Sequence, residues 1–364
     1  MNKRTRIPIL LSLGIFILLW LVSNSDAKQE AVRYHYIDLG TLGGEKSWGT
    51  GVNNWGQVVG VSETGIEEEI RGFIWMGKEM KNLGSLDGTL WSGTWSINDR
   101  GQAVGFSVTE AFQRKAILWD SKGIRELETL GGRDGDAYGI NKHGEIVGWA
   151  ATSEGFSHAA FWDSDGVTDL DPLQNVMSWA SSINKKGDAV GAFITSDDRL
   201  HAVLWNDKGM HEMGTLGGDE SEAFWINDKG EAVGWCSIPE NLGWHACLWN
   251  SHGDIVDLGT AGGLNSEAFS INDHGQVVGI FYPGTSEVEY RAFLWTRKHG
   301  MLDLNTLVDL PEGVVLVQAN SINDFGWITG MNNLGTAYVL IPHKNHQGRA
   351  HHKDFFTPSP GLRN

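Results

Sequence analysis

"INDRGQAVG" spans Ile97 to Gly105, and close copies return as "INKHGEIVG", "INKKGDAVG", "INDKGEAVG" and "INDHGQVVG". The leading asparagine falls at Asn53, Asn98, Asn141, Asn184, Asn227, Asn272 and Asn323, in steps of 45, 43, 43, 43, 45 and 51 residues. A glycine stands three places after each, from Gly56 to Gly326, and another seven places after, from Gly60 to Gly330. Seven copies in one unbroken register identify a repeat protein before any element is named.

A second anchor keeps the same period: "RGFIW", "KAILW", "HAAFW", "HAVLW", "HACLW" and "RAFLW", ending at Trp75, Trp119, Trp162, Trp205, Trp249 and Trp295. The seventh version, "TAYVLI", lacks the tryptophan. Short β-branched and aromatic runs bounded by Gly, Asn and Asp read as strands and turns throughout. Each period holds four of them, as in "EAFSIN", "QVVGIF", "RAFLW" and "MLDLN", which is the size of a β-propeller blade. The last period stops after its third strand at Ile341, whereas "YHYIDLG" at Tyr34 to Gly40 is an unmatched fourth-type strand. The expected fold is all-β: a seven-bladed β-propeller of four-stranded blades over residues 34–341, its N-terminal strand completing the last blade. An open β-solenoid, eight blades or two smaller units are the alternatives.

The repeated Asn and Gly bracket a tight turn between first and second strands, and the later glycine permits a close neighbour or a bulge. Small residues four before each Asn, such as Ala137, Ala180 and Ala223, suit a crowded strand lining the axis. A calcium reading of "IND" fails, because Lys142 and Lys185 replace the acid in two copies and no distal glutamate follows. No metal site and no cofactor is expected.

Residues that differ between copies at one geometric position are the better functional candidates. Five places before each Asn stand Trp48, Gly93, Asp136, Trp179, Glu222, Glu267 and Gln318, expected to ring one mouth of an axial channel. Of these, Trp48, Asp136, Trp179, Glu222, Glu267 and Gln318 are the ligand-binding candidates, suited to a sugar, a cation or a cationic peptide. Solvated loop residues are the bland alternative. Neighbouring loops add Arg133 with Asp134, Asp219 with Glu220, and Trp91 with Trp95. Converging carboxylates would suit hydrolysis, but their separation is not written in sequence. No catalytic residue is named, since "GxSxG", "HExxH" and a phosphate-binding glycine loop are all missing. His158, His201 and His245 recur on third strands and give way to Arg291, which favours packing or hydrogen bonding over a metal.

The chain opens with basic residues and an apolar run from Ile7 to Val22, then Ser25 and Ala27 spaced as a cleavage site. Residues 1–27 read as a secretory signal peptide, with an uncleaved anchor as the alternative. Their removal takes three cations and one anion from a formal charge of -17 and leaves -19. So acidic a protein repels phosphate backbones, which excludes nucleic acid as a partner. Gly 48 and Trp 17 against Pro 8 describe many turns and many large apolar anchors. The two cysteines, Cys236 and Cys247, flank "SIPENLGWHA", where a hairpin disulfide is open in an oxidising compartment. The acidic "IEEEI" at Ile66 to Ile70 reads as a solvated loop. The tail 342–364, with His343, His346, His351 and His352, reads as disordered.

The combination "LGTLGG", "SEAFWINDKGEAVGW" and "HACLW" resembles the HAF-repeat family of predicted extracellular repeat proteins, over roughly Ile37 to Ile341. The named step is degenerate: His201-Ala202 is followed by Val203, and Arg291 replaces His before Ala292-Phe293. The resemblance implies export and a propeller-like fold, with no enzyme class and no catalytic residues. The leading functional reading is an exported monomeric scaffold, secreted or periplasmic, that binds an extracellular glycan, peptide or protein at the channel mouth or blade loops. It leans away from an enzyme. The alternatives are a propeller hydrolase acting on glycans through inter-blade carboxylates, and a structural surface or matrix protein. A membrane enters only if the N-terminal segment is retained. Cleavage after Ala27 predicts a mature start at Lys28, read by N-terminal sequencing of the exported protein; a start at Met1 refutes it.

Overall fold

A computed structural model describes residues 32–171, 177–284 and 289–343. The signal-peptide reading of residues 1–27 and the tail with His346, His351 and His352 lie outside the described residues. The chain divides after Arg33, and every described strand belongs to the unit that starts at Tyr34. That unit is all-β: 28 strands, two single 3₁₀ turns and no α-helix among the described residues.

The strands form six hydrogen-bonded sheets, five of four strands and one of eight. A representative four-stranded sheet is the antiparallel meander Ser266–Ile271, Val277–Phe281, Arg291–Thr296 and Gly300–Asp303. The count of sheets is one below the count of sequence repeats, for a local reason. The eight-stranded sheet holds two such meanders, Gly43–Val52 through Met80–Asn82 and Thr89–Ile97 through Gly123–Glu126, joined by one parallel pairing of Ile70 with Trp91. Tyr34–Gly40 pairs antiparallel with Ala337–Pro342, setting Ile37 opposite Val339. The displaced N-terminal strand therefore supplies the fourth strand of the last sheet.

Apolar residues on both faces of a strand demand cover on both sides, and neighbouring sheets provide it. Val233, Ala246 and Leu248 of one sheet pack with Ile271, Val277, Phe293 and Trp295 of the next. Another cluster joins Val58, Phe73 and Trp75 near the chain's start to Trp327 and Val339 near its end. The six recurrent tryptophans are all buried, each removing about 150–250 Å² from water. The small residues four before each Asn are corrected here: Ala137, Ala180, Ala223 and Ala268 lie fully buried in these clusters between sheets, and they do not line an axis. Cys236 and Cys247 are also buried, on adjacent strands, with Sγ facing Sγ and Cα atoms 6.0 Å apart.

Each repeated asparagine does more than shape a turn. Its Oδ1 accepts the backbone N–H groups two and four residues on, at 2.9–3.1 Å in all seven copies. One Nδ2 hydrogen goes to the side chain four residues on in six copies, Trp327 being the exception. The other reaches the next repeat: Asn53 donates to the Asn98 carbonyl, and so on through Asn141, Asn184, Asn227, Asn272 and Asn323, which donates back to Asn53. The glycine three places on accepts a φ of 72–88°, closing the turn.

Asn141→Ala would remove the acceptor of two backbone N–H groups and the contacts to Glu145 and the Asn184 carbonyl, so a loss of about 2–4 kcal/mol is expected in urea unfolding. Asn141→Asp keeps the acceptor but sets its second oxygen against Glu145 Oε2 and the Asn184 carbonyl, so at neutral pH it should cost at least as much as Asn141→Ala. A variant as stable as the parent would show the contact ring to be dispensable.

Candidate functional site

The repeated glycine at the seventh position sets the register of the site. A Cβ there would collide with the carbonyl oxygen of the residue five before the Asn, at Gly60, Gly105, Gly148, Gly191, Gly234, Gly279 and Gly330 alike. With the strands so close, the ladder slips just beyond this contact. In all seven repeats the register shifts across the residue three before the Asn, as between Ala137 and Gly139 or Ala268 and Ser270. Bulged residues are re-aimed out of the sheet.

Those seven bulge residues, Thr50, Trp95, Tyr138, Ser181, Phe224, Phe269 and Asn320, all line one cavity of about 1060 Å³. Every repeat thus contributes to it, and it is central. Sequence reasoning missed this position, although it varies between copies as freely as the one chosen. A smaller cavity of about 190 Å³ is lined by the seven turn asparagines and the residues flanking them.

Of the positions five before the Asn, Trp48, Trp179, Glu222 and Gln318 line the central cavity, while Gly93, Asp136 and Glu267 do not. Trp91 and Trp95 join the wall, with Phe106 and Phe112. Aromatic rings dominate, and packing orders them: Trp95 lies 5.4 Å from Phe106, and Phe224 lies 5.6 Å from Phe269. The lining carries two charged side chains, Arg114 and Glu222.

The three carboxylates that share one register have three different environments. Asp136 is fully buried; its Oδ2 accepts from Arg114 Nε at 2.6 Å and its Oδ1 from Trp95 Nε1 at 3.0 Å. Burial outweighs these donors and pushes the carboxyl up to about 6. Arg114 is thereby held 3.7 Å over the Phe106 ring. Glu222 accepts from Trp179 Nε1 at 3.0 Å and Trp235 Nε1 at 3.3 Å, and burial, with a smaller push from the charge on Glu267, raises it above the usual carboxylate range. Glu267 accepts from Trp244 Nε1 at 3.0 Å, is likewise raised by burial, and faces a separate cleft. The three acids do not meet in one cavity: among the described residues, Glu222 is the one carboxylate lining the central cavity.

The other candidates serve the scaffold. Asp134 Oδ1 accepts from the Arg114 backbone at 2.8 Å, Lys115 Nζ donates to the Arg133 carbonyl, and Asp219 pairs with Arg199. His158, His201 and His245 each face a fourth-strand acid, Asp169, Glu212 and Asp257, at 2.6–2.9 Å, as Arg291 faces Asp303. None of them lines the central cavity.

No family model and no curated protein matches this sequence. Among solved structures, the chain is similar to the β-propeller domain of the Trilobed protease from Pyrococcus furiosus: 7% identity and TM-score 0.52 over 84% of this chain and 100% of that one. It is similar to an S511A mutant of puromycin hydrolase at 15% identity and TM-score 0.51, over 80% of this chain and 50% of that one. A virginiamycin B lyase from Staphylococcus aureus gives 14% identity and TM-score 0.49, over 85% of this chain and 99% of that one. At these identities the likeness is one of fold: an all-β, propeller-like repeat. The resemblance to HAF-repeat proteins stands at that coarser level, without a match to the family itself. The leaning away from an enzyme is corrected, because half the length of a puromycin hydrolase matches this fold, so the fold itself gives no ground for it. Missing linear motifs count for little where a site draws one residue from each of several sheets.

The Asp136 environment has a pH signature. Its carboxyl titrates near 6 in the folded protein and near 3.9 unfolded, so between these values the folded state holds more protons. Stability relative to Asp136→Asn should fall by about 1–3 kcal/mol as pH rises from about 4 to about 7. Urea unfolding of both proteins at the two pH values checks this; a constant offset would refute it.

Proposed function

We propose that the chain is a closed ring of seven four-stranded blades whose central cavity performs acid–base chemistry on a glycan, with Glu222 as the proton-transferring group. Support for closure is the unbroken sequence of asparagine contacts from Asn53 through Asn323 and back, together with the pairing of Tyr34–Gly40 and Ala337–Pro342. One observation carries the chemistry: a single, largely buried carboxyl, gripped by two indole N–H groups, faces an aromatic-walled cavity.

Burial raises its proton affinity above that of an ordinary carboxylate, which suits a group that both holds and releases a proton. The indoles of Trp48, Trp91 and Trp179 offer flat apolar surfaces to the C–H faces of sugar rings, while Thr50, Ser181, Gln318 and Asn320 offer partners to hydroxyl groups. One lining carboxylate rather than two favours proton transfer by a single group over the paired-acid glycosidase arrangement. The acidic charge disfavours anionic polymers, so neutral glycans are preferred. Export through the N-terminal segment to the periplasm or exterior, a Cys236–Cys247 bond there, and action as a monomer belong to the same reading.

The test is a turnover screen of the exported protein against neutral oligosaccharides, comparing parent and Glu222→Gln. The amide should lower turnover by about 10²- to 10⁴-fold while binding, followed by calorimetry, stays close to the parent's. Turnover at the parental rate in Glu222→Gln, or none by the parent on any neutral glycan, overturns the proposal.

A further inference from the structure

Glu267 shares its register with Glu222 yet lies outside the central cavity. It lines a cleft of about 560 Å³ with Trp235, Trp244, Glu220, Asn241 and Asn265. One wall is the connection after Ser237, where Glu240 and Asn241 both take positive φ, 63° and 52°. Gly243 leaves room there for the Asn265 side chain, whose Oδ1 accepts the Trp244 backbone N–H at 3.1 Å.

The carboxylate of Glu267 is half satisfied. Oε1 accepts from Trp244 Nε1 and, at 3.4 Å, from the Tyr282 hydroxyl, whereas Oε2 accepts no hydrogen bond among the described residues. No cationic side chain pairs with Glu267 or Glu220 among the described residues, and the cleft lining contains no Lys, Arg or His. Aromatic surface continues beyond it: the Trp244 ring stands edge-on to Tyr282 at 6.2 Å, and Tyr282 lies 6.0 Å from Tyr290.

Charge and shape together restrict the ligand. An anion would meet two carboxylates, and among the described residues no group of three or more His, Cys, Asp or Glu side chains is placed to hold a metal ion. An organic cation gains from both features, the carboxylate through Coulomb attraction and the indole faces through their quadrupole. We propose that this cleft is a second ligand site, for a quaternary ammonium or a protonated amine on an apolar stem. The site shares Trp235 with the surroundings of Glu222, but ligand binding here does not require the acid–base reading of that residue.

The probe is choline, titrated into the intact protein and followed by calorimetry and tryptophan fluorescence, with its uncharged carbon isostere dimethylbutanol as control. Choline should bind saturably and the isostere at least about tenfold more weakly. Glu267→Gln should weaken choline by about tenfold or more, whereas Asp303→Asn, a fourth-strand acid outside the cleft, should leave it unchanged. Trp244→Phe, which removes an indole and keeps the carboxylate, should also weaken it and serves if Glu267→Gln fails to fold. Equal binding of choline and isostere, indifference to both variants, or no saturable choline binding overturns the proposal.

Discussion

A carboxamide has two donor hydrogens and two acceptor lone pairs, and in six of the seven turn asparagines the structure uses all four. Two acceptor contacts close the turn within one repeat; one donor contact braces its own second strand; the last reaches the carbonyl of the next asparagine. Aspartate has no donor, serine has one, and glutamine is a methylene too long for the same local contacts. The asparagine side chains themselves are buried, and a polar atom left unpaired there costs more than the bond itself contributes. Local turn and neighbour spacing are thereby held by the same side chain, and everything further from the axis inherits that spacing.

The second constraint is steric and lies at the other end of the same two strands. Glycine opposite the carbonyl five before the Asn lets the strands approach closely, and the bulge that follows turns one side chain per repeat toward the centre. The scaffold and the cavity are coupled in this way. Backbone requirements consume the Asn and both glycines, while the bulge position holds threonine, serine, asparagine or a large aromatic, with local contacts of their own at the cavity wall. Variation there costs the fold little, so the cavity wall is free to be shaped by a ligand.

Electrostatics then separates residues that the repeat makes equivalent. Asp136, Glu222 and Glu267 each receive an indole N–H, which anchors the carboxyl without neutralising it. Only Asp136 also receives a guanidinium, from Arg114. The ion pair offsets part of the cost of its burial without cancelling it, and it holds Arg114 against Phe106 at the cavity wall. Glu222 and Glu267 lack such a partner, and burial without a cation leaves them with a heightened affinity for a proton or for a bound cation.

Period, strand types, turn residues and the displaced strand at Tyr34 were legible in the amino-acid sequence, because turn chemistry and alternation act over a few residues and repeat without interruption. The candidates five before each Asn were legible as a set, since their register is local. Which of them meet one cavity was not. That depended on a bulge in every first strand, which adds the residue three before the Asn to the cavity wall, and on partners from other strands: Arg114 for Asp136, 22 residues away, Trp179 for Glu222, 43 away, and Trp244 for Glu267, 23 away. The joining of two meanders through Ile70 and Trp91 is of the same kind. Sequence by itself determined a repeating β architecture through short-range stereochemistry. Tertiary structure alone decided which carboxylate is paired, which is buried beside a cavity and which borders a cleft, because burial and long-range contact set the charge state of each.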